Sequence, residues 1–146
     1  MNILMVCLGN ICRSPLAEGI MQHLVAQKGL SWTVDSAGTG NWHVGKPPHQ
    51  GSVSIARKFG VDISKQVCRQ FKVGDFDEFD LILVMDQSNQ SDVLALARNQ
   101  RDADKVRLLL DDKEVPDPYF DHTQFEAVYR LVEQGCKDVI REYEYK

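Results

Sequence analysis

No stretch of the chain approaches the roughly 18 consecutive apolar residues that a membrane-spanning helix needs, and no charged lead with a long apolar core precedes Ile3. A cytoplasmic protein without a membrane partner is the expectation. Basic residues are also scarce. The 17 Lys and Arg against 21 Asp and Glu give a formal net charge of -4, which argues against nucleic acid as a partner and makes any attraction for an anion local. The four histidines, His23, His43, His49 and His122, show no metal-ligand spacing and read as loop or solvent-facing residues. No metal and no cofactor are expected. The four cysteines do not form a disulfide framework; two of them fall within six residues, which points to thiol chemistry in a reducing compartment. There is no internal repeat and no low-complexity segment. The 146 residues, 43% of them hydrophobic, suffice for one domain, 1–146, with one core.

What is present alternates strand and helix, the signature of a parallel sheet covered on both faces. Ile3-Leu4-Met5-Val6 is a short apolar run that reads as a buried strand. Leu16, Ile20 and Leu24 with Ala17, Met21 and Val25 form one helical face, closed by Gly29. Trp32-Thr33-Val34 reads as a second strand, followed by a Gly- and Pro-rich loop from Ser36 to Pro48 whose tip is Asn41-Trp42-His43. Val53, Ala56 and Phe59 mark a helix stopped by Gly60. Leu81 to Met85 is the clearest central strand, and Val106 to Leu110 a fourth, after a short helix carrying Val93, Leu94, Leu96 and Ala97. The last helix opens with Thr123 and Glu126 in capping-box spacing and buries Phe125, Val128, Val132, Cys136, Val139 and Tyr143. The expected fold is α/β, a single-domain three-layer sandwich with a four-stranded parallel sheet flanked by helices and a functional loop after the first strand.

That loop is Cys7-Leu8-Gly9-Asn10-Ile11-Cys12-Arg13-Ser14. The strand delivers Cys7 to its C-terminal end, where open parallel sheets place their ligands. Gly9 and Asn10 tolerate the backbone angles of a sharp turn. Ser14 occupies a helix N-cap position and Pro15 the first helical position, so the N–H groups from Leu8 to Ser14 are expected to converge on an oxyanion at the positive helix end. A helix N-terminus and a nearby cation favour the thiolate form of Cys7. The fork of Arg13 grips two oxygens of a trigonal group in a way that Lys does not.

Cys7 to Ser14, together with Asp117-Pro118-Tyr119, resembles the low molecular weight protein tyrosine phosphatases over essentially the whole chain. The resemblance implies a cysteine-dependent phosphatase acting on phosphotyrosine and aryl phosphates through a phosphocysteine intermediate. Cys7 would be the nucleophile, Arg13 and the loop amides the phosphoryl clamp, and Asp117 the acid for the leaving oxygen and then the base for water. Asp117 lies between Pro116 and Pro118, which stiffen its loop, although Asp-Pro also favours a plain turn. The implied partner is a phosphotyrosine-containing protein, with a tyrosine kinase among the candidates, and inorganic phosphate is product and inhibitor.

Supporting roles follow. Ser14 either caps the helix alone or also donates to the Cys7 sulfur. Asn10 holds the loop through its side chain, and in the family its partners include a Ser of the second strand, matched by Ser36, and a His, where this chain carries Gln66. An amide still hydrogen-bonds, so a retuned loop is expected. Leu8, Trp42 and Tyr119 are the candidate walls for a flat ring, the alternative for Trp42 being a residue tucked against its own loop. Phe120 replaces a second tyrosine found in relatives. Cys12 is either a loop residue tolerated for its size or a partner that captures oxidised Cys7 as a disulfide, making the enzyme redox-regulated. Cys136 reads as core, and Cys68 follows no motif. Two other readings stay open: a thiol-dependent arsenate reductase, for which residues 69 to 135 lack the relay cysteines, and a catalytically silent phosphotyrosine-binding module.

Overall fold

The computed structural model describes residues 1–145. Four parallel strands form one sheet: β1 (Asn2–Cys7), β2 (Thr33–Gly38), β3 (Leu81–Val84) and β4 (Val106–Leu108) lie side by side in the order β2-β1-β3-β4. Six helices surround it: α1 (Arg13–Gln27), α2 (Gln50–Lys58), α3 (Asp75–Glu78), α4 (Gln87–Leu94), α5 (Gln100–Asp104) and α6 (Phe125–Tyr143), the last preceded by a 3-10 turn at His122–Gln124. The expected doubly covered parallel sheet is what the chain forms.

Because successive side chains of a strand point to opposite faces, β1 feeds two cores. Ile3, Met5 and Cys7 join α1, α2 and α6 on one face, where Leu16, Met21, Ala56, Val132 and Val139 are buried; Leu4 and Val6 join Phe71, Phe76, Ile82 and Val93 on the other. The strand order reverses at β1, which pairs with β2 on one side and β3 on the other. The C-terminal end of β1 therefore opens onto the crevice that such a reversal creates. Cys7 sits at that end.

Several element boundaries differ from the sequence expectation. The second strand runs on to Gly38, because Met5 and Cys7 of β1 keep pairing with Ser36 and Gly38. Ser36-Ala37-Gly38 gives little apolar signal, yet smallness is what the position demands: a Cβ on Gly38 would lie 2.9 Å from the Leu8 carbonyl oxygen. Strand β4 ends at Leu108, although Leu109 still donates its N–H to Val84. The helix expected to carry Leu96 and Ala97 ends at Leu94 and begins at Gln87, capped by Asp86, whose side chain accepts from the Asn89 N–H. Ser14 is not the cap of α1; that helix starts at Arg13 with no side-chain cap, since the Ser14 hydroxyl is engaged in the loop. The Thr123 and Glu126 capping box is likewise absent. Asp121 accepts from Thr123 instead, and Glu126 pairs with Lys58 at 2.6 Å.

Candidate active site

The loop from Leu8 to Cys12 joins β1 to the N-terminus of the 15-residue helix α1. Of the two residues expected to allow its turn, only Asn10 adopts the left-handed region, with φ of 56°. Its side chain is fixed on three sides. The amide nitrogen donates to Ser14 Oγ at 2.8 Å and to Ser36 Oγ at 3.0 Å, and the amide oxygen accepts from the Arg69 main-chain N–H at 3.0 Å. The Asn10 carbonyl receives the Cys68 thiol at 2.8 Å. Cys68, which the sequence left without a role, is buried with Ile11, Cys12 and Phe125 beneath the loop.

Gln66 does not take the third contact of Asn10. It donates to the Pro15 carbonyl at 3.1 Å, and its own amide oxygen is buried without a partner. The main chain of Arg69 holds Asn10 instead, and the Arg69 guanidinium is itself anchored on Asp35 and the fully buried Asp75.

Ser14 Oγ lies 3.1 Å from the Cys7 sulfur. Since that oxygen already accepts from Asn10, its hydrogen is left for Cys7 or for the Ala37 carbonyl at 3.5 Å. Arg13, only 3% exposed, donates one terminal nitrogen to Asp86 Oδ2 at 2.6 Å and to the Val115 carbonyl at 3.1 Å. Its other terminal nitrogen stands 3.6 Å from Asp117 Oδ2. Burial opposes the guanidinium charge, but Cys7, Asp86 and Asp117 outweigh it and hold Arg13 above its ordinary pKa. Asp117 is 40% exposed at its side chain, and its second oxygen accepts from the Tyr119 N–H at 3.0 Å, which ties the carboxyl to its own turn.

These groups open on one cleft of about 180 Å³, lined by Cys7, Leu8, Ile11, Arg13, Trp42 and Asp117 among others. Tyr119 and Phe120 also border it, in an edge-on pair with ring centroids 4.7 Å apart. Trp42, 63% exposed, does both things the sequence left open: it borders the cleft and its ring lies so close over Gly40 that no side chain fits there. His43, expected to be a plain loop residue, borders the cleft as well, and His49 caps α2 through Nδ1 and stacks on Phe125.

Burial pushes the Cys12 thiol up to about 12, with Asp117 and Cys7 adding to the effect. Cys68 is raised to about 11, again mainly by burial and then by Cys7, and burial raises Cys136 too. Cys12, Cys68 and Cys136 are therefore thiols at neutral pH.

The model of one protein family, described as low molecular weight phosphotyrosine protein phosphatase, matches residues 2–146. The chain belongs to that family. Its relatives include the low molecular weight protein-tyrosine-phosphatase YfkJ of Bacillus subtilis, 41% identical, with 95% of this chain and 93% of the relative aligned. Among solved structures, a protein tyrosine phosphatase of Entamoeba histolytica superposes with a TM-score of 0.94 at 32% identity, covering 99% of this chain and 97% of that one. The Drosophila arginine phosphatase DARP superposes with a TM-score of 0.91 at 33% identity, covering 98% of each chain. The residues of this phosphatase site that the sequence alone does not reveal are Asp86, Val115, Arg69 and Cys68. Only Asp86 left a local trace, as a strand-terminating Asp before a helix. Among the described residues, no helix is long and apolar enough to cross a membrane.

Proposed function

We propose that the protein hydrolyses phosphotyrosine and other aryl phosphate monoesters through a phosphocysteine at Cys7. The observation that carries this reading is the meeting of Cys7, Arg13 and Asp117 on one cleft whose other walls are apolar or aromatic. The loop amides and the Arg13 fork hold the equatorial oxygens of the phosphoryl group at the N-terminus of α1. The Cys7 thiolate attacks phosphorus, the bond from phosphorus to the tyrosine oxygen breaks, and Asp117 gives that oxygen its proton. Asp117, now a carboxylate, then takes a proton from water as the water attacks the phosphocysteine. Inorganic phosphate leaves and Cys7 returns as thiolate, helped by the Ser14 hydroxyl 3.1 Å away. Phosphate is thus both product and inhibitor.

Leu8, Ile11, Trp42 and Tyr119 suit the flat faces of a phenyl ring. The name of DARP raises phosphoarginine as a second substrate class; on this cleft its guanidinium would have Asp117 as a carboxylate acceptor, among walls that are otherwise apolar or aromatic. The physiological substrate proposed is a phosphotyrosine protein, with a tyrosine kinase as a candidate, acting in the cytoplasm. Cys12 is the proposed redox partner that traps oxidised Cys7 as a disulfide.

Hydrolysis of para-nitrophenyl phosphate and of phosphotyrosine, phosphoserine and phosphoarginine peptides tests the reading. Chelator-resistant activity on aryl phosphates, lost in Cys7→Ser, is expected. Preference for the phosphoarginine peptide, arsenate reduction, or binding without turnover would replace it.

A further inference from the structure

Glu18 is a buried carboxyl on α1, one turn beyond the phosphate-binding loop, that the proposed chemistry does not use. Among the described residues it has no ion-pair partner. Nothing in apolar packing requires an acid here, yet Glu18 is the end of an unbroken chain of side-chain hydrogen bonds. Ser36 Oγ donates to Glu18 Oε1 at 2.7 Å, Asn10 Nδ2 donates to Ser36 at 3.0 Å and to Ser14 at 2.8 Å, and Ser14 Oγ lies 3.1 Å from the Cys7 sulfur.

We infer that Glu18 is a positioning residue, whose carboxyl sets, through Ser36, Asn10 and Ser14, the hydrogen bond delivered to the Cys7 sulfur. The Asn10 amide has only one consistent orientation. The Arg69 N–H points at Asn10 Oδ1, so the Asn10 amide cannot flip. Both amide hydrogens are then spent on the two serines, which leaves the Ser36 hydrogen for Glu18 and the Ser14 hydrogen for the Cys7 sulfur at 3.1 Å or the more distant Ala37 carbonyl at 3.5 Å. Removing the acceptor at Glu18 frees the Ser36 hydroxyl to rotate and to compete for Asn10. Cooperative chains of this kind respond to the strength of their terminal acceptor, and an ionised carboxylate is a stronger one than a neutral carboxyl.

The groups facing Glu18 are few. Gln22, on the same helix, donates to Oε2 at 3.2 Å; Asp35 acts from β2, and Arg69 acts from the segment before α3 but is engaged with Asp35 and Asp75. Gln66, on that same segment, faces α1 through the Pro15 carbonyl. Burial dominates, aided by Asp35 and opposed by the Ser36 hydrogen bond, and raises the Glu18 carboxyl to about 7. The terminal acceptor therefore changes its charge near neutrality.

The role rests on Cys7 being the nucleophile, so the test reads Cys7 without needing turnover. The rate of Cys7 alkylation by iodoacetamide, followed on the Cys7 peptide by mass spectrometry between pH 5 and 9, is expected to show an inflection near pH 7, with a change of about threefold. Glu18→Gln keeps an acceptor for Ser36 but cannot ionise, and its profile should lack that inflection. Ser36→Ala, which cuts the chain one bond nearer Cys7, should lose it as well. With an aryl phosphate, Glu18→Ala should lower kcat about tenfold with KM within about twofold, and Glu18→Gln should restore most of it. An inflection that survives in either Glu18→Gln or Ser36→Ala, or equal kcat in the Ala and Gln variants, would overturn the inference. Absent turnover with the alkylation pattern intact would count against the phosphatase reading and not against Glu18.

Discussion

Arg13 and Asp86, 73 residues apart in sequence, meet at 2.6 Å beneath the cleft. The same carboxyl caps α4 through the Asn89 N–H, so a single side chain fixes both a helix start and the plane of the guanidinium that grips phosphate. Asp86→Asn keeps the cap but weakens the charge-assisted bond to a nearly buried Arg13. A loss of about 10- to 100-fold in kcat/KM for aryl phosphates is expected, with weaker inhibition by phosphate. Unchanged phosphate inhibition would mean that Arg13 is held by Val115 and the loop alone.

Asp117→Ala should slow aryl phosphates by about 10²- to 10⁴-fold, least for those with good leaving groups, because such groups depart without a proton. The dependence of kcat on leaving-group pKa is the measurement. A loss that is uniform across leaving groups would point to a damaged cleft and away from proton donation.

Cys12 borders the same cleft as Cys7, and its thiol is raised to about 12 chiefly by burial. It is therefore a poor primary target for peroxide and a suitable second partner once Cys7 is oxidised to the sulfenic acid. Wild type inactivated by mild peroxide should recover fully with thiol, whereas Cys12→Ser should recover slowly or incompletely. Identical recovery curves would remove the protective role.

Glu18 also makes stability depend on pH. Its carboxyl is raised from 4.5 to about 7, mainly by burial, so between those values the folded protein binds more protons than the unfolded chain. The stabilisation present at low pH is lost as pH rises through this window, up to on the order of 3 kcal/mol. Urea midpoints should therefore favour Glu18→Gln over wild type increasingly from pH 5 to pH 8. Parallel pH curves for the two proteins would show that Glu18 titrates as it does in the unfolded chain.

The parts of the site legible in the sequence were those written locally. Cys7, Asn10 and Arg13 lie within seven residues, and the loop that joins a strand to a helix is fixed by short-range backbone chemistry. The sheet was legible because Leu81 to Met85 and Ile3 to Val6 are continuous apolar runs. Ser14 was misread as a cap because hydroxyl chemistry is the same whichever partner takes it, and here Asn10 and Cys7 take it. Asp86, Arg69 and Cys68 reach the loop across 58 to 73 residues of sequence, and no local pattern announces such contacts. Glu18 carries no local mark either, because nothing in its sequence neighbours says that it faces Ser36.

In the proposed reaction the phosphoryl group passes through Cys7. Rapid-quench mass spectrometry during turnover of a phosphotyrosine peptide, ideally with Asp117→Ala to slow hydrolysis of the intermediate, tests it most directly. A phosphate adduct on the Cys7 peptide that forms and decays at rates matching turnover is expected. Turnover with no adduct, or with the adduct on another residue, would contradict it.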